Sequence, residues 1–135
     1  MPFETQVRVR YAETDQMGYV YYGNYAIYLE VARTEWVRSL GITYKEMEEK
    51  WNIMLPVYSY EIRYKYPAKY DEILTIETIV SEPAGAKLEF NHKIFNSEQI
   101  LVADAKVVLV FVQKENMKPC KPPQKFLDLY YAKIH

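Results

Sequence analysis

One broadly apolar helical segment, followed by four alternating segments in close succession, leaves this chain few folds to choose from. Tyr25, Tyr28, Leu29, Ala32, Trp36 and Leu40 recur at helical spacing, and Ile27, Val31 and Val37 widen the stripe. Glu30, Arg33, Glu35 and Arg38 are left as polar surface. So wide an apolar band predicts a helix covered on more than one side. Asn24 reads as its N-cap, with a side-chain oxygen accepting from the first turn, and Gly41 as its stop. Thr43 and Glu46 form a capping-box pattern for a second, shorter helix to about Trp51.

The strands follow from period-two alternation. Phe3 to Tyr11 has Phe3, Thr5, Val7, Val9 and Tyr11 on one face and Glu4, Gln6, Arg8 and Arg10 on the other. After the helices, Met54 to Tyr66 places Tyr58, Tyr60, Ile62, Tyr64 and Tyr66 together. Ile73 to Ser81, Lys87 to Phe95 and Ile100 to Gln113 complete the set, with connectors short enough for a meander. Val107 to Val112 lacks alternation, so it is predicted to be buried on both faces. A Lys- and Pro-rich loop and a short helix near Gln124 to Lys133 close the chain. Strand, helix, then four strands is an α+β pattern: an antiparallel five-stranded sheet around a long helix. The 135 residues form a single domain, 1–135, with no repeat or linker.

Composition excludes several functions. Lys and Arg total 17 and Asp and Glu 18, so the net charge is -1 and no nucleic-acid partner is expected. The longest apolar run falls far short of the ~20 residues of a membrane helix. No targeting segment is seen, and with a single cysteine a cytoplasmic location is the expectation. Cys120 lies in a loop without a local histidine and reads as an ordinary thiol. His92, among Leu88, Phe90 and Ile94, reads as a strand histidine; His135 is the last residue. No His or Cys pair has ligand spacing, so no metal is expected. Neither a Gly-x-Ser-x-Gly turn nor a glycine-rich phosphate cradle occurs. The excess is tyrosine, at 14 residues.

The chemistry concentrates in Tyr11-Ala12-Glu13-Thr14-Asp15-Gln16-Met17-Gly18-Tyr19-Val20-Tyr21-Tyr22-Gly23-Asn24-Tyr25. Asp15 supplies a carboxylate able to attack a carbonyl or activate water. Gly18 allows a turn that other residues resist. The helix start presents unpaired backbone N–H groups able to hold an oxyanion. An Asp before a Gly is also an ordinary turn pair.

The segment resembles the signature of the 4-hydroxybenzoyl-CoA thioesterase family, including the YbgC-type acyl-CoA thioesterases, which have the hotdog fold. The matching positions are Asp15, Gly18, Val20-Tyr21 and Asn24-Tyr25, continued by Tyr28-Leu29-Glu30-Val31-Ala32-Arg33. The strand order resembles the family to about Gln113. The resemblance implies an acyl-CoA thioesterase in which Asp15 is nucleophile or general base. It also implies that the Tyr22 backbone N–H faces the thioester oxygen. Many YbgC-type members carry His where this chain has Tyr22; a backbone role survives that change, and the ring could also line the acyl pocket or simply pack. Another hotdog branch uses a helix carboxylate, which makes Glu30 and Glu35 secondary candidates.

Tyr11, Tyr21, Asn24 and Tyr25 are candidate substrate contacts. For CoA, the basic candidates are Arg63, Lys87, Lys118 and Lys121, with Lys65 and Lys93 behind them. CoA is part of the substrate, and no separate cofactor is implied. The family implies a homo-oligomer, a dimer or dimer of dimers, with the tyrosine face of the second strand as one candidate contact. The alternatives are an acyl-carrier-protein thioesterase, which would make that carrier a partner, and a non-catalytic acyl-CoA-binding hotdog protein.

Overall fold

The computed structural model describes residues 2–135. Strand β1 (Phe3–Arg8) is followed by helices α1 (Tyr25–Ser39) and α2 (Tyr44–Trp51). Then come β2 (Ile53–Met54), β3 (Val57–Tyr64), β4 (Ile73–Val80), β5 (Lys87–Phe95), β6 (Leu101–Val110), β7 (Val112–Gln113) and α3 (Gln124–Ile134). The antiparallel five-stranded sheet has the order β1-β4-β5-β6-β3, and β2 pairs separately with β7.

The alternation read from the sequence sets the sheet's two faces. Leu88, Phe90, His92 and Ile94 of β5 are buried against the helix side, while Lys87, Asn91 and Lys93 face outward. Register carries this across the sheet: His92 opposes Thr78 on β4 and Ala105 on β6, and Ala105 opposes Ile62 on β3. On α1, Tyr25, Tyr28, Leu29, Ala32, Trp36 and Val37 fill the concave side. Trp36 packs edge-on to Phe90 at 5.5 Å, and Phe126 and Tyr130 of α3 close over it. Thr43 caps α2 as expected, its hydroxyl accepting from the Glu46 N–H at 3.1 Å. Val107 to Val112 is buried throughout.

Five details depart from the sequence reading. The first strand ends at Arg8, because the chain turns at Tyr11–Glu13 in a single 3₁₀ turn. The second predicted strand is two: Pro56, which has no N–H to donate, separates β2 from β3. A register shift between Val57 and Ser59 breaks the five-residue tyrosine face, and Tyr58 leaves it to lie under the Lys87 amine at 4.6 Å. Asn24 does not cap α1 with its side chain: a 3₁₀ turn at Tyr22–Asn24 precedes the helix and puts Asn24 itself in the helical region. Finally, α1 is covered on one side only, with Ile27 49% and Val31 38% exposed, whereas Arg33, read as surface, is 8% exposed.

Candidate active site

The segment between β1 and α1 is a closed loop held from beneath by Glu13. Thr14 bridges Val20, the Tyr21 N–H donates to the Glu13 carbonyl at 2.9 Å, and the Asp15 N–H donates to the Tyr19 carbonyl at 2.7 Å. Gly18 adopts φ +81°, a conformation cheap only for glycine, and its N–H returns to the Asp15 carbonyl at 3.0 Å. The connection after β3 latches this loop. Val20 N–H donates to the Ala68 carbonyl at 2.9 Å, and Tyr19 bridges Lys69.

Asp15 sits half-buried at the turn. Its Oδ1 accepts from the Met17 N–H at 2.9 Å and the Tyr19 N–H at 3.2 Å. These bonds orient the carboxylate and leave Oδ2 without a partner among the described residues. Asp15 is thus both a turn residue and an oriented carboxylate with one oxygen open. Beyond the loop, the Tyr22 N–H donates to no described group, while the Tyr25 N–H closes the 3₁₀ turn on the Tyr22 carbonyl. An unpaired N–H where the chain winds into a helix carries the partial positive end of that helix.

Glu13 had no distinguishing mark in the sequence, yet it ties these parts together. Its Oε1 accepts from the Arg10 N–H at 2.8 Å and the Tyr28 hydroxyl at 2.9 Å. Its Oε2 accepts from Arg10 Nη2 at 2.8 Å, and its backbone carbonyl from Asn24 Nδ2 at 2.8 Å. Burial pushes the carboxyl pKa up, but the bonds from Arg10 and Tyr28 outweigh it and hold the group below its ordinary value. Burial and the same bond push the Tyr28 hydroxyl well up. Asn24 therefore serves the site through Glu13.

The remaining candidates separate. Tyr11 is 77% exposed, edge-on to Tyr70, and the Tyr21 and Tyr22 rings lie together, 4.7 Å between centres with their planes tilted by 41°. Tyr25 is buried against Tyr28 and Tyr64, so its ring is a wall behind the site. The Tyr64 hydroxyl reaches the Tyr22 carbonyl at 3.4 Å, a contact that no local pattern announced. Arg63 opposes Asp104 on the outer face of the sheet. Lys87 opposes Val110, and Lys118 and Lys121 flank the segment that bridges Val112, all at the opposite end of β3 from Tyr64. That strand is about 23 Å long at ~3.3 Å per residue, so one chain does not bring these lysines to Asp15. Glu30 is exposed, and Glu35 pairs with Arg38.

His92 is held inside the sheet, Nδ1 3.0 Å from the Thr78 hydroxyl, and burial with the nearby Arg33 charge pushes its pKa down to about 3. It stays neutral and remote from the loop. Burial pushes the Cys120 thiol up, away from a reactive thiolate. Among the described residues no three His, Cys, Asp or Glu side chains gather as metal ligands, and no helix is long and apolar enough to cross a membrane.

Residues 9–129 match the model of the thioesterase-like superfamily. The chain belongs to the thioesterase-like superfamily. Membership places it among thioester hydrolases. The acyl-CoA thioesterase YbgC of Haemophilus influenzae is 34% identical over 123 residues, 91% of this chain and 90% of that protein. The solved DHNA-CoA thioesterase of Staphylococcus aureus is 33% identical, with a TM-score of 0.87 over 97% of this chain and 89% of its own. A 4-hydroxybenzoyl-CoA thioesterase in complex with 4-hydroxybenzoyl-CoA shares the fold, at 23% identity and a TM-score of 0.86 over 94% of this chain and 96% of its own. The family and the hotdog fold read from Asp15, Gly18 and the Asn24-Tyr25 helix start are borne out.

Proposed function

We propose that this thioesterase-family chain hydrolyses an acyl-CoA thioester to the free acid and CoA, with Asp15 as the reacting carboxylate. The observation that carries the reading is the pairing of an oriented carboxylate with an unused donor. Asp15 Oδ1 is pinned by two backbone N–H groups while Oδ2 is open, and the Tyr22 N–H at the head of α1 is unpaired. Asp15 acts on the thioester carbon, by direct attack or by taking a proton from water. The Tyr22 N–H stabilises the oxyanion, a contribution worth ~3 kcal/mol for such a donor. Collapse of the tetrahedral intermediate then expels CoA as the thiolate, giving the free acid at once where water is the nucleophile, or an acyl anhydride of Asp15 that a water hydrolyses where Asp15 attacks. With Tyr22 in place of the histidine common in relatives, acid–base work falls to Asp15 and water. No cofactor enters this scheme; CoA arrives with the substrate, and the cytoplasm is where such esters are met.

We also propose that the working form is a homo-oligomer. The uncovered α1 residues Ile27 and Val31 and the edge strand β3 support this, because an apolar face and an open strand edge both favour pairing. Pairing is also the way for Lys118 and Lys121 of one copy to approach the Asp15 loop of another. A monomer at micromolar concentration in light scattering contradicts this.

The functional test is a hydrolysis screen over short, long and aromatic acyl-CoAs and a carrier-bound acyl group, with Asp15→Asn as control. Turnover of CoA esters that the variant lacks supports the proposal. Turnover confined to the carrier-bound group favours the carrier-protein thioesterase, and binding without turnover favours the non-catalytic reading.

A further inference from the structure

The two groups assigned to the reaction are carried by different elements. Asp15 stands on the loop and the Tyr22 N–H on the turn into α1, seven residues further along the chain. Apolar packing does little to fix one against the other. Of the described residues between Tyr11 and Asn24, only Glu13 and Val20 are buried, and these two flank Asp15. Val20 ties the loop to the connection after β3, through its bond to the Ala68 carbonyl. Glu13 ties it to α1.

That second tie belongs to the Glu13 side chain. The Glu13 backbone carbonyl accepts from the Tyr21 N–H and from Asn24 Nδ2, bonds that any residue at this position could offer. Only a side-chain acceptor of this length reaches the Tyr28 hydroxyl, 2.9 Å from Oε1. Tyr28 is 3% exposed and lies edge-on to Tyr25, 6.0 Å between ring centres, so close packing gives Glu13 a fixed point on the helix. The Arg10 N–H also donates to Oε1, and Arg10 Nε and Nη2 donate to Oε2 at 3.1 and 2.8 Å. Both carboxylate oxygens are thus occupied and neither is free to meet a substrate. A buried carboxylate is also a costly way to hold a fold, since apolar packing in its place is often no less stable. What its charge-assisted bonds add is direction.

We propose that Glu13, acting through Tyr28, is a positioning residue that sets the Asp15 carboxylate and the Tyr22 N–H at the spacing the thioester carbon requires. The inference rests on the thioesterase reading above. A misplacement of ~1 Å can cost about a hundredfold in rate. Glu13 does not reach the substrate, so its loss falls on kcat and leaves KM in place.

The test is steady-state hydrolysis of the wild type's best acyl-CoA, at a temperature where circular dichroism shows each variant fully folded. Glu13→Ala is expected to lower kcat by about thirtyfold to a hundredfold with KM within about threefold. Glu13→Gln keeps an acceptor for the Arg10 N–H and the Tyr28 hydroxyl and is expected to restore part of the rate. Tyr28→Phe is expected to lower kcat by about tenfold. Because the two side chains act through one bond, the double variant Glu13→Ala/Tyr28→Phe should be no slower than Glu13→Ala; independent effects would multiply. Should Glu13→Ala fail to fold, Tyr28→Phe and Glu13→Gln, with their double variant, carry the same comparison. A wild-type kcat in the folded variants, a loss that lies in KM, or losses that multiply overturns the proposal. A lowered melting temperature with kcat kept does so too, and leaves Glu13 a structural residue only. Asp15→Asn separates this from the reading it rests on. A wild type that hydrolyses no acyl-CoA, or a fully active Asp15→Asn, removes the proposed mechanism and the positioning role together. An inactive Asp15→Asn beside a fully active Glu13→Ala removes the positioning role alone.

Discussion

Replacing Glu13 by glutamine keeps the shape of the side chain and removes its charge. Oε1 continues to accept from the Arg10 N–H and the buried Tyr28 hydroxyl, but as a neutral acceptor. A hydrogen bond to a charged group contributes about 1.5–3 kcal/mol and a neutral one about 0.5–1.5, so two such bonds lose about 2 kcal/mol together. The new amide also turns a donor toward the Arg10 guanidinium; that group is exposed, so its ion pair is screened and adds little. At roughly 4 °C per kcal/mol for a chain of this size, the melting temperature falls by roughly 8 °C at neutral pH. The effect has a sign in pH. Because the folded-state pKa of Glu13 lies below the ordinary 4.5, its stabilisation is complete above that value and is lost as pH falls through the folded pKa. Wild type and variant should therefore converge in acid. Thermal denaturation followed by circular dichroism at neutral pH and near pH 3 reads both effects. A loss below ~2 °C at neutral pH, or an equal loss in acid, refutes the reasoning.

Tyr22→Phe should leave turnover within about threefold, since the proposed donor is the backbone. Tyr22→Pro should lower kcat by about a hundredfold or more, because proline fits the first position of a helical turn but has no N–H. Equal activity of the two variants removes the oxyanion role. Gly18→Ala meets no neighbour within 4 Å, so its cost is conformational, about 1–2 kcal/mol at φ +81°, measured by urea denaturation. An unchanged midpoint contradicts the strain. Val31→Lys places a charge on the uncovered face of α1 and should lower the oligomer mass in light scattering while the circular dichroism spectrum is kept. A mass equal to wild type moves the contact elsewhere.

The sheet was legible because burial imposes a local rhythm. Leu88, Phe90, His92 and Ile94 alternate whatever lies around them, and the unbroken burial of Val107 to Val112 showed in its missing polar positions. The Thr43 cap was equally legible, since donor and acceptor lie three residues apart. The site was legible at Asp15 and Gly18, where a recognisable signature coincides with local turn chemistry. Glu13 was not: its partner Tyr28 is a helical turn and a loop away, and nothing nearby marks a loop carboxylate as buried. Arg33 is hard to read for a related reason. It stands four residues after buried Leu29, a spacing that places it on the inner face, but its charge argued for surface. Asn24 looks like a cap until the preceding 3₁₀ turn is known, and that turn depends on Glu13. Whether a lysine can meet CoA depends on which end of the sheet it reaches, a global property that a charge count does not carry.

The most direct measurement is the hydrolysis rate of Asp15→Asn on the best acyl-CoA of the wild type, with folding verified by an unchanged circular dichroism spectrum. The amide keeps an acceptor for the Met17 and Tyr19 N–H groups, so the loop is preserved. A fall in kcat of at least about a hundredfold is the predicted result. Near-normal turnover in the folded variant contradicts the account.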